Sequence, residues 1–178
     1  MEIYIIRHGQ TVWNAKKLLQ GSTDIELNEN GRELAGETGR NLESVHFDKI
    51  YSSPLIRAYE TACLIRGHRN IPIIRDERLR ELCFGINEGK NFSKLLEDES
   101  DPFHYFFKQP ELYRAPEHGE TLEHMCERAA DFLQEVVEPQ RNELERIMIV
   151  AHGALNKALM CHIKQHDISQ YWSGGLQT

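Results

Sequence analysis

Three short apolar runs, each followed by a segment with helical spacing, constrain the fold of this chain more than any other feature of its sequence. They cover residues 3–6, 48–53 and 146–152, and residues 71–74 are a candidate for a fourth strand. Strands that alternate with helices predict an α/β fold, because each helix connects two parallel strands across one face of the sheet. We therefore expect a mainly parallel sheet covered by helices.

The helical segments have recognisable ends. Ser53 is a typical N-cap residue, Pro54 suits the first helical position, and Gly67 is a plausible end for the helix that follows them. From Thr121 onward, apolar residues recur at steps of three and four, which predicts the clearest amphipathic helix of the chain. Another helix is expected from near Asn28. Glycines in its interior indicate either that it starts later or that something packs closely against it.

The chain has 178 residues, which is long enough for one full hydrophobic core and short for two. We therefore predict a single domain over residues 1–178. Within it, residues 86–119 show no clear periodicity and are rich in aromatic side chains. So long an irregular segment in a compact domain is usually a lid or a binding insert. We predict that residues 86–119 form a lid or a substrate-specificity insert.

Composition narrows the range of partners and the location. The formal net charge of −7 argues against nucleic acid, because binding to a phosphate backbone needs a basic surface. No apolar run approaches the roughly 18 residues that span a bilayer, and no secretion signal opens the sequence, so we expect no membrane partner. The four cysteines are scattered without a C-x-x-C pair, which predicts reduced thiols in a cytoplasmic protein.

Cationic and imidazole side chains stand where the predicted strands end. The first strand runs into Arg7 and His8, the helix after the second strand carries Arg57 in its first turn, and the third strand ends in His152 and Gly153. Ligands of open α/β sheets collect outside the carboxyl ends of parallel strands, so these side chains are expected to converge. Arginine offers paired donors to phosphate oxygens, and imidazole can attack phosphorus as a nucleophile. The arrangement therefore predicts a phosphoryl site.

Chance is the competing explanation for each of these signals taken alone. An R-H-G tripeptide is short, and a single histidine at a strand end is more often structural than catalytic. The repetition of His-Gly at residues 8–9 and 152–153 is harder to attribute to chance and favours a site. His162 and His166 have a spacing that could hold a metal on a helix, but no motif places a third ligand near them. We predict no metal and no other cofactor.

The motifs resemble those of the histidine phosphatase superfamily, the group that includes cofactor-dependent phosphoglycerate mutases. They occur in the family's order over most of the chain: "RHGQTVWN" at 7–14, "GSTDIELNENG" at 21–31, "SSPLIRAYETA" at 52–62, "LRELCFGINEG" at 79–89, "HGETLEHMCERA" at 118–129 and "VAHGALNKAL" at 150–159. The resemblance implies a three-layer α/β/α sandwich with a mostly parallel central sheet. Because family members usually continue into at least one more strand, an edge strand is expected to be missing after Thr178.

The resemblance also implies a role for individual residues. His8 would be the nucleophile that becomes phosphohistidine, and Glu81 would be the general acid and base, although by itself it would be interpreted as a solvated carboxylate. The remaining residues would contact the phosphoryl group or the rest of the substrate: Arg7, Asn14, Gln20, Gly21, Arg57, His152 and Gly153. Two departures from the family pattern, Gln10 and Asn87, leave the wall of the pocket undetermined.

The resemblance implies a metal-independent phosphomonoesterase that hydrolyses a small phosphorylated metabolite. Residues 90–117 carry isolated cations without a tandem arginine, which favours hydrolysis over retention of the phosphoryl group. Two alternatives stay open: a cofactor-dependent phosphoglycerate mutase and a non-catalytic module that binds phosphoryl ligands. The expected partner is the small phosphorylated substrate, and the chain is expected to be a monomer or a homodimer.

Overall fold

Parallel strands form the centre of the protein. The computed structural model describes residues 1–174 and contains, within them, the strands β1 (Glu2–Arg7), β2 (Lys49–Ser52), β3 (Ile73–Arg75) and β4 (Arg146–Ala151). Their order in the sheet is β1-β4-β2-β3, and every pairing is parallel. The predicted α/β fold with a mainly parallel sheet is confirmed. The strand predicted at residues 71–74 is β3, which lies slightly later, at Ile73–Arg75. The edge strand expected after Thr178 lies outside the described residues.

Helices connect the strands and fill the long segment between β3 and β4. The described helices are α1 (Val12–Ala15), α2 (Glu29–Asn41), α3 (Ile56–Arg66), α4 (Phe92–Glu97), α5 (Tyr105–Lys108), α6 (Leu122–Phe132) and α7 (Gly153–Lys164). The predicted amphipathic helix is α6, and Thr121 is its N-cap. None of the helices within residues 1–174 has the length and apolar character needed to cross a bilayer.

Alternate residues of β4 pack into two separate apolar clusters, because successive side chains of a strand point to opposite faces. Ile147 and Ile149 belong to a buried cluster with residues of α6 and α7. Met148 and Val150 belong to a second buried cluster with residues of α3. Helices therefore cover both faces of the sheet, which confirms the three-layer α/β/α architecture.

The start of α3 differs from the prediction. Ser53 and Pro54 precede the helix, which begins at Ile56 with Leu55 in extended conformation before it. The N–H of Ile56 donates to Oδ1 of Asp24 at 2.7 Å, so a distant carboxylate caps this end. The prediction was wrong because the Ser53 hydroxyl contacts another partner, His152, at the end of β4.

Close packing explains two of the glycines of α2. The helix begins as predicted, with Oδ1 of Asn28 accepting from the N–H of Gly31 at 2.8 Å. A Cβ atom on Gly31 would lie 2.1 Å from the carbonyl oxygen of Gln10, and one on Gly39 would lie 2.8 Å from that of Ile65. For Gly31 and Gly39, close approach of neighbouring backbone is therefore the correct explanation of the two.

The predicted insert contains the short helices α4 and α5 and aromatic side chains that join the main core. Phe103 and Phe106 are buried in the same apolar cluster as Ile149 of β4. Isolated bridges connect the segment to its surroundings, between Leu18 and Asn91 and between Phe84 and Gly119. The insert is thus packed against the sheet domain, and its role as a lid or specificity element stays a prediction.

Candidate active site

The carboxyl ends of three adjacent strands bring the predicted residues together. His8 follows β1, His152 follows β4, and Ser53 follows β2 just before the helix that carries Arg57. The rings of His8 and His152 lie with their centroids 5.1 Å apart. Both imidazoles and the Arg57 guanidinium are buried. Residues about 50 and 145 positions apart in the sequence thus form one compact polar cluster, which we call the cradle.

Hydrogen bonds set the tautomer of His8. Its Nδ1 lies 2.7 Å from the carbonyl oxygen of Gly9, and only a protonated nitrogen can donate to that acceptor. Nε2 therefore carries the lone pair, and it accepts from Nε of Arg57 at 3.3 Å. Burial and then the charge of Arg57 lower the pKa of His8 to about 3. His8 is thus a neutral imidazole with a nucleophilic nitrogen next to a guanidinium group.

Arg57 is held on the remaining sides of its guanidinium group. Nη1 donates to the carbonyl oxygen of Thr23 at 2.8 Å, and Nη2 donates to that of Gly21 at 2.7 Å. Burial lowers the pKa of Arg57, while nearby carboxylates, Glu81 first among them, oppose that shift. Because the ordinary pKa of arginine is above 12, the group keeps its positive charge at neutral pH. A fixed cation therefore lies beside the nucleophile.

The loop that holds Arg57 is itself held by Glu88, a residue to which the sequence analysis assigned no role. The Glu88 carboxylate accepts from the backbone N–H groups of Ser22 at 2.8 Å, Thr23 at 2.9 Å and Phe84 at 3.0 Å. Burial opposes ionisation of Glu88, but these bonds and that from the Thr23 hydroxyl together lower its pKa. The available signal was its place in the "FGINEG" motif.

Gly21 is required in this loop for two reasons. Its φ of 55° lies in the left-handed region, which side chains disfavour. A Cβ atom there would also lie 2.1 Å from Oε1 of Glu88. Gly21 was predicted to contact the substrate, and it lines the same cavity as His8. Its carbonyl bond to Arg57 is the further role that the structure adds.

Among the described residues, one ring nitrogen of His152 has a hydrogen-bond partner and the other has none. Nε2 lies 2.8 Å from the Ser53 hydroxyl, and that hydroxyl oxygen accepts from the N–H of Leu55 at 3.3 Å. The hydroxyl can donate its own proton to Nε2, and the tautomer that this bond selects carries the imidazole proton on Nδ1. Within the described residues, Nδ1 is buried and has no hydrogen-bond partner. A buried donor without a partner, 5.1 Å from the His8 ring by centroid distance, indicates a place for an anionic ligand.

Electrostatics reinforce this assignment for His152. Complete burial is the largest cause that lowers its pKa well below the ordinary value, and the charge of Arg57 is the next. Both imidazoles are therefore neutral in the folded protein at neutral pH.

Ser53 is a residue whose role the sequence analysis missed, because serine before proline was interpreted only as a helix cap.

Glu81 lies at the N-terminus of α7. Its Oε1 accepts from the N–H of Leu155 at 3.1 Å and its Oε2 from that of Ala154 at 3.2 Å. A carboxylate is stabilised at this end of a helix by the unpaired N–H groups and the helix dipole. The alternative interpretation of Glu81 as a solvated surface carboxylate is therefore wrong. A Cβ atom on Gly153 would lie 3.8 Å from both Oε2 of Glu81 and Nε of Arg7, so these groups are neighbours.

Arg128 of α6 fixes the segment that leads to Glu81. Its Nη1 donates to the carbonyl oxygens of Arg78 at 2.6 Å and Arg80 at 2.7 Å. Glu120 accepts from Nε and Nη2 of Arg128 at 2.7 and 2.9 Å. Burial opposes ionisation of Glu120, but the bonds from Arg128 outweigh it and lower the pKa. A half-buried ion pair thus positions the chain at Glu81, a role that the sequence did not indicate.

The remaining predicted contacts lie around α1. Oδ1 of Asn14 accepts from the backbone N–H of Thr11 at 3.0 Å, and the two residues form a capping box. The Thr11 hydroxyl donates to Oε1 of Gln20 at 2.7 Å, and Gln20 is buried. Asn14 and Gln20 both line the cavity, as do Arg7 and Gly153. The structure therefore brings all the predicted site residues except His152 to the wall of one cavity, with His152 buried behind it.

The cavity has a volume of about 570 Å³, and its wall contains chemically different groups of side chains. One group is that of the cradle. Another consists of aromatic side chains of the insert and Trp172. Within residues 1–174, no group of three His, Cys, Asp or Glu side chains is arranged to hold a metal ion, and His162 and His166 are not part of one.

Chemically, the cradle combines a nucleophile, cationic donors and a carboxyl group. Neutral imidazole at Nε2 can attack an electrophile, and the guanidinium groups offer donors to an anion with several oxygens. The Glu81 carboxyl group lies beside Arg7 and can exchange a proton with a leaving oxygen or with water. These are the groups that transfer of a phosphoryl group requires.

Comparison with known proteins supports this chemistry. The family model "histidine phosphatase superfamily (branch 1)" matches residues 3–178. The chain is 35% identical over 170 residues to a 2,3-bisphosphoglycerate-dependent phosphoglycerate mutase of Cytophaga hutchinsonii, with 92% of this chain and 77% of that protein covered. It is 33% identical over 171 residues to putative phosphoserine phosphatase 2 of Hydrogenobacter thermophilus, covering 96% and 82%.

Solved structures give the same result. The structure of Bacillus stearothermophilus YhfR superimposes with a TM-score of 0.88 at 39% identity. The alignment covers 98% of this chain and 85% of that one. Similarity in both fold and sequence over nearly the whole chain is stronger support than fold alone, since one fold can serve many functions.

Proposed function

The chain belongs to the histidine phosphatase superfamily, and from this premise we propose that it is a metal-independent phosphomonoesterase that forms a phosphohistidine on His8. Its relatives include phosphatases and phosphoglycerate mutases, and the chain is an enzyme of phosphoryl transfer. The observation that carries the proposal is the tautomer of His8. The hydrogen bond of Nδ1 to the Gly9 carbonyl leaves a lone pair on Nε2 inside a cationic cradle.

The reaction has two steps. Nε2 of His8 attacks phosphorus, the bond from phosphorus to the ester oxygen breaks, and the Glu81 carboxyl group gives its proton to the departing alkoxide. Water then attacks phosphohistidine, Glu81 takes a proton from that water, and the nitrogen–phosphorus bond breaks to release inorganic phosphate. Arg7, Arg57 and the Nδ1–H of His152 stabilise the charge on the phosphoryl oxygens during both displacements.

The cations around the insert favour hydrolysis over mutase activity. Nζ of Lys90 donates to Oδ1 of Asn87 at 2.7 Å, and Nη1 of Arg114 donates to the carbonyl oxygen of Tyr113 at 2.9 Å. Lys94 and Lys108 are exposed and are not among the residues that line the cavity. A mutase must hold a doubly acidic substrate while it changes orientation, which calls for a second cluster of cations. Water is the more accessible acceptor here.

Hydrolysis of p-nitrophenyl phosphate in the presence of a metal chelator tests the proposal. We expect turnover that the chelator does not reduce, and a phosphoryl adduct on His8 that is labile in acid and stable in alkali. The His8→Ala variant is expected to lose both the adduct and the turnover. Phosphate binding without turnover would favour the non-catalytic module instead.

A second experiment separates the phosphatase from the mutase. When 3-phosphoglycerate is supplied with its bisphosphate primer and followed by phosphorus NMR, we expect release of inorganic phosphate. Isomerisation to 2-phosphoglycerate that is faster than phosphate release would identify a mutase and contradict hydrolysis as the main activity.

Net charge and cysteine chemistry support the finer parts of the proposal. We propose a cytoplasmic enzyme, monomeric or homodimeric, that acts on small phosphorylated substrates and not on nucleic acid or membranes. The formal charge of −7 disfavours nucleic acid, and the four cysteines are free thiols in the structure.

A further inference from the structure

Part of the wall of the cavity that contains His8 is aromatic carbon. Phe92 of α4, Phe107 of α5 and Trp172 line it, and each is half-buried, so each has ring surface that neighbouring side chains leave uncovered. We call these three residues the aromatic subsite. Leu18 and Leu19 line the same cavity. A molecule whose phosphoryl group lies beside His8 therefore shares the cavity with apolar side chains.

Ring packing holds the aromatic subsite in place. The centroids of Phe107 and Trp172 are 4.7 Å apart, and those of Phe92 and Phe107 are 6.3 Å apart. Phe103 and Phe106, which also line the cavity, are buried and stacked at 5.0 Å. Aromatic pairs at such distances add to the stability from burial alone. The subsite is thus preformed, as ligand pockets usually are.

The polar atom of Trp172 points away from a ligand. Its indole Nε1–H donates to the backbone carbonyl oxygen of Phe106 at 2.5 Å. This hydrogen bond satisfies the one donor of the indole and fixes the ring in orientation. The surface that Trp172 presents to the cavity is consequently carbon, which suits an apolar group better than a hydroxyl or a carboxylate.

Charged groups other than those near His8 are scarce in the wall of the cavity. Among the described residues that line it, the cations besides Arg7 and Arg57 are limited to Lys17, which is exposed. Lys90, which precedes α4, donates to Asn87 instead, and Lys94 of α4 is exposed. A carboxylate on the substrate would lose water against phenyl rings without gaining a partner, which is costly.

From these contacts we propose that the aromatic subsite binds the leaving group of the substrate, and that this leaving group is an extended alkyl or aryl chain without a second charge. The proposal rests on the proposed phosphomonoesterase function and assigns its substrate class. It predicts that apolar phosphomonoesters are hydrolysed in preference to phosphoserine or phosphoglycerate, the molecules for which two of the relatives are named.

A series of primary n-alkyl phosphates tests the substrate class without changing the chemistry of the leaving group. Ethyl, butyl and hexyl phosphate have leaving alkoxides of similar basicity, so differences in kcat/KM report binding of the chain. Burial of each additional CH₂ group should raise kcat/KM about fourfold, which is the equivalent of about 0.8 kcal/mol. Equal kcat/KM for the three esters, or a higher value for phosphoserine than for hexyl phosphate, would overturn the proposal.

Two serine variants test whether the dependence of kcat/KM on chain length arises in the aromatic subsite. Phe107→Ser removes a ring from the aromatic subsite and should reduce the hexyl-to-ethyl ratio of kcat/KM by about tenfold, whereas Phe107→Leu should restore most of it. Leu112→Ser is the matched control, because Leu112 is an exposed apolar residue of the same segment that does not line the cavity. If Phe107→Ser does not fold, Phe92→Ser gives the same comparison. An unchanged ratio in a folded subsite variant would refute the assignment.

Binding measurements separate this proposal from the proposed function. The His8→Ala variant cannot form phosphohistidine, so calorimetric titration with ethyl and hexyl phosphate measures affinity without turnover. Tighter binding of hexyl phosphate supports the aromatic subsite even if the wild-type protein proves inactive. Equal affinity for the two esters contradicts it even if the wild-type protein hydrolyses both.

Discussion

The cradle and the aromatic subsite line the same cavity but are built by different forces. In the cradle, hydrogen bonds and burial set the position and the protonation of each group, as for the bond of His8 to Gly9 and the bonds of Arg57 to the 21–23 loop. In the aromatic subsite, ring packing sets shape, and few polar atoms take part. The cradle therefore determines which reaction is possible, and the subsite determines which molecules undergo it.

The cradle and the aromatic subsite also depend differently on the rest of the protein. The cradle lies directly at the carboxyl ends of the adjacent strands β1, β4 and β2. The subsite is carried by helices of four to six residues, which are too short to be stable alone in water. Substitutions in the cradle should therefore alter the chemical step, and those in the insert should alter affinity or stability.

Among these substitutions, Arg57→Lys should cause the largest loss of kcat. A small loss would contradict the conclusion that the cradle determines the chemical step. A lysine cannot donate at once to His8, Gly21 and Thr23, and the loss of a preorganised donor costs roughly 10²- to 10³-fold in kcat. Steady-state kinetics with p-nitrophenyl phosphate measure this loss. Arg69→Lys is a matched control, because Arg69 also donates to several backbone carbonyls, but outside the cradle. It should reduce the melting temperature and leave kcat unchanged.

Glu81→Gln should cause the next largest loss of activity, and the size of that loss should depend on the substrate. Loss of a general acid costs roughly 10²-fold or more when the leaving group is a basic alkoxide, and less when it is p-nitrophenolate, which departs without a proton. The measurement is the ratio of kcat/KM for ethyl phosphate and p-nitrophenyl phosphate. Glu77→Gln, a change at an exposed neighbour, is the control and should leave the ratio unaltered. An equal loss for both substrates would limit Glu81 to binding or to capping α7.

Acid should destabilise the protein through the cradle. The pKa of His8 is lowered from 6.5 to about 3 in the folded state, and that of His152 is also lowered. Below pH 6.5 the unfolded chain binds protons at these residues and the folded chain does not. The free energy of unfolding should therefore decrease as the pH falls from 6.5 towards 3, by up to about 1.4 kcal/mol per pH unit for each histidine.

Urea denaturation between about pH 6.5 and pH 5 checks this dependence in a range above most carboxyl titration. His8→Gln should make the dependence on pH shallower by the contribution of one histidine. His68→Gln, a substitution at an exposed histidine, is the control and should leave the dependence on pH unchanged. If His8→Gln and the wild type share one slope, His8 is protonated in the folded protein and the nucleophile assignment loses its electrostatic basis.

Asn91→Ala should have the smallest effect on turnover, and it tests whether the insert shapes the cradle. Oδ1 of Asn91 accepts from the N–H groups of Ser93 and Lys94 at 3.1 and 3.2 Å and caps α4. Loss of such a cap costs about 1 kcal/mol. We expect a lower urea midpoint with ethyl phosphate turnover within about twofold of the wild type. Lys94→Ala, which keeps the cap, is the control, and a large loss of turnover in Asn91→Ala would mean that the insert shapes the cradle.

Local sequence signals predicted a large part of the fold. The apolar runs predicted the strands, and Asn28 and Thr121 predicted the starts of α2 and α6, because a cap depends on residues within one turn. The cap predicted at Ser53 and Pro54 was wrong, since Asp24 caps α3 instead. That acceptor lies 32 residues away, and no local pattern could indicate it.

The same limit applies to the residues that hold the site. Ser53, Glu88 and Arg128 act through bonds to residues 47 to 99 positions away in the sequence. Such pairings depend on how the strands and helices pack, so neither composition nor spacing indicated them. The motifs did contain all three residues, within "SSPLIRAYETA", "LRELCFGINEG" and "HGETLEHMCERA", without showing what each contacts.

The sequence by itself determined the inventory of groups and their approximate place: imidazoles and guanidinium groups at the carboxyl ends of parallel strands, and aromatic side chains in one segment. Only the tertiary structure decided that His8 is neutral with its lone pair on Nε2, that the Nδ1 of His152 has no partner within residues 1–174, and that the aromatic side chains line the same cavity. The physical reason is that desolvation and hydrogen-bond direction depend on atoms from distant segments, which come together only when the chain folds.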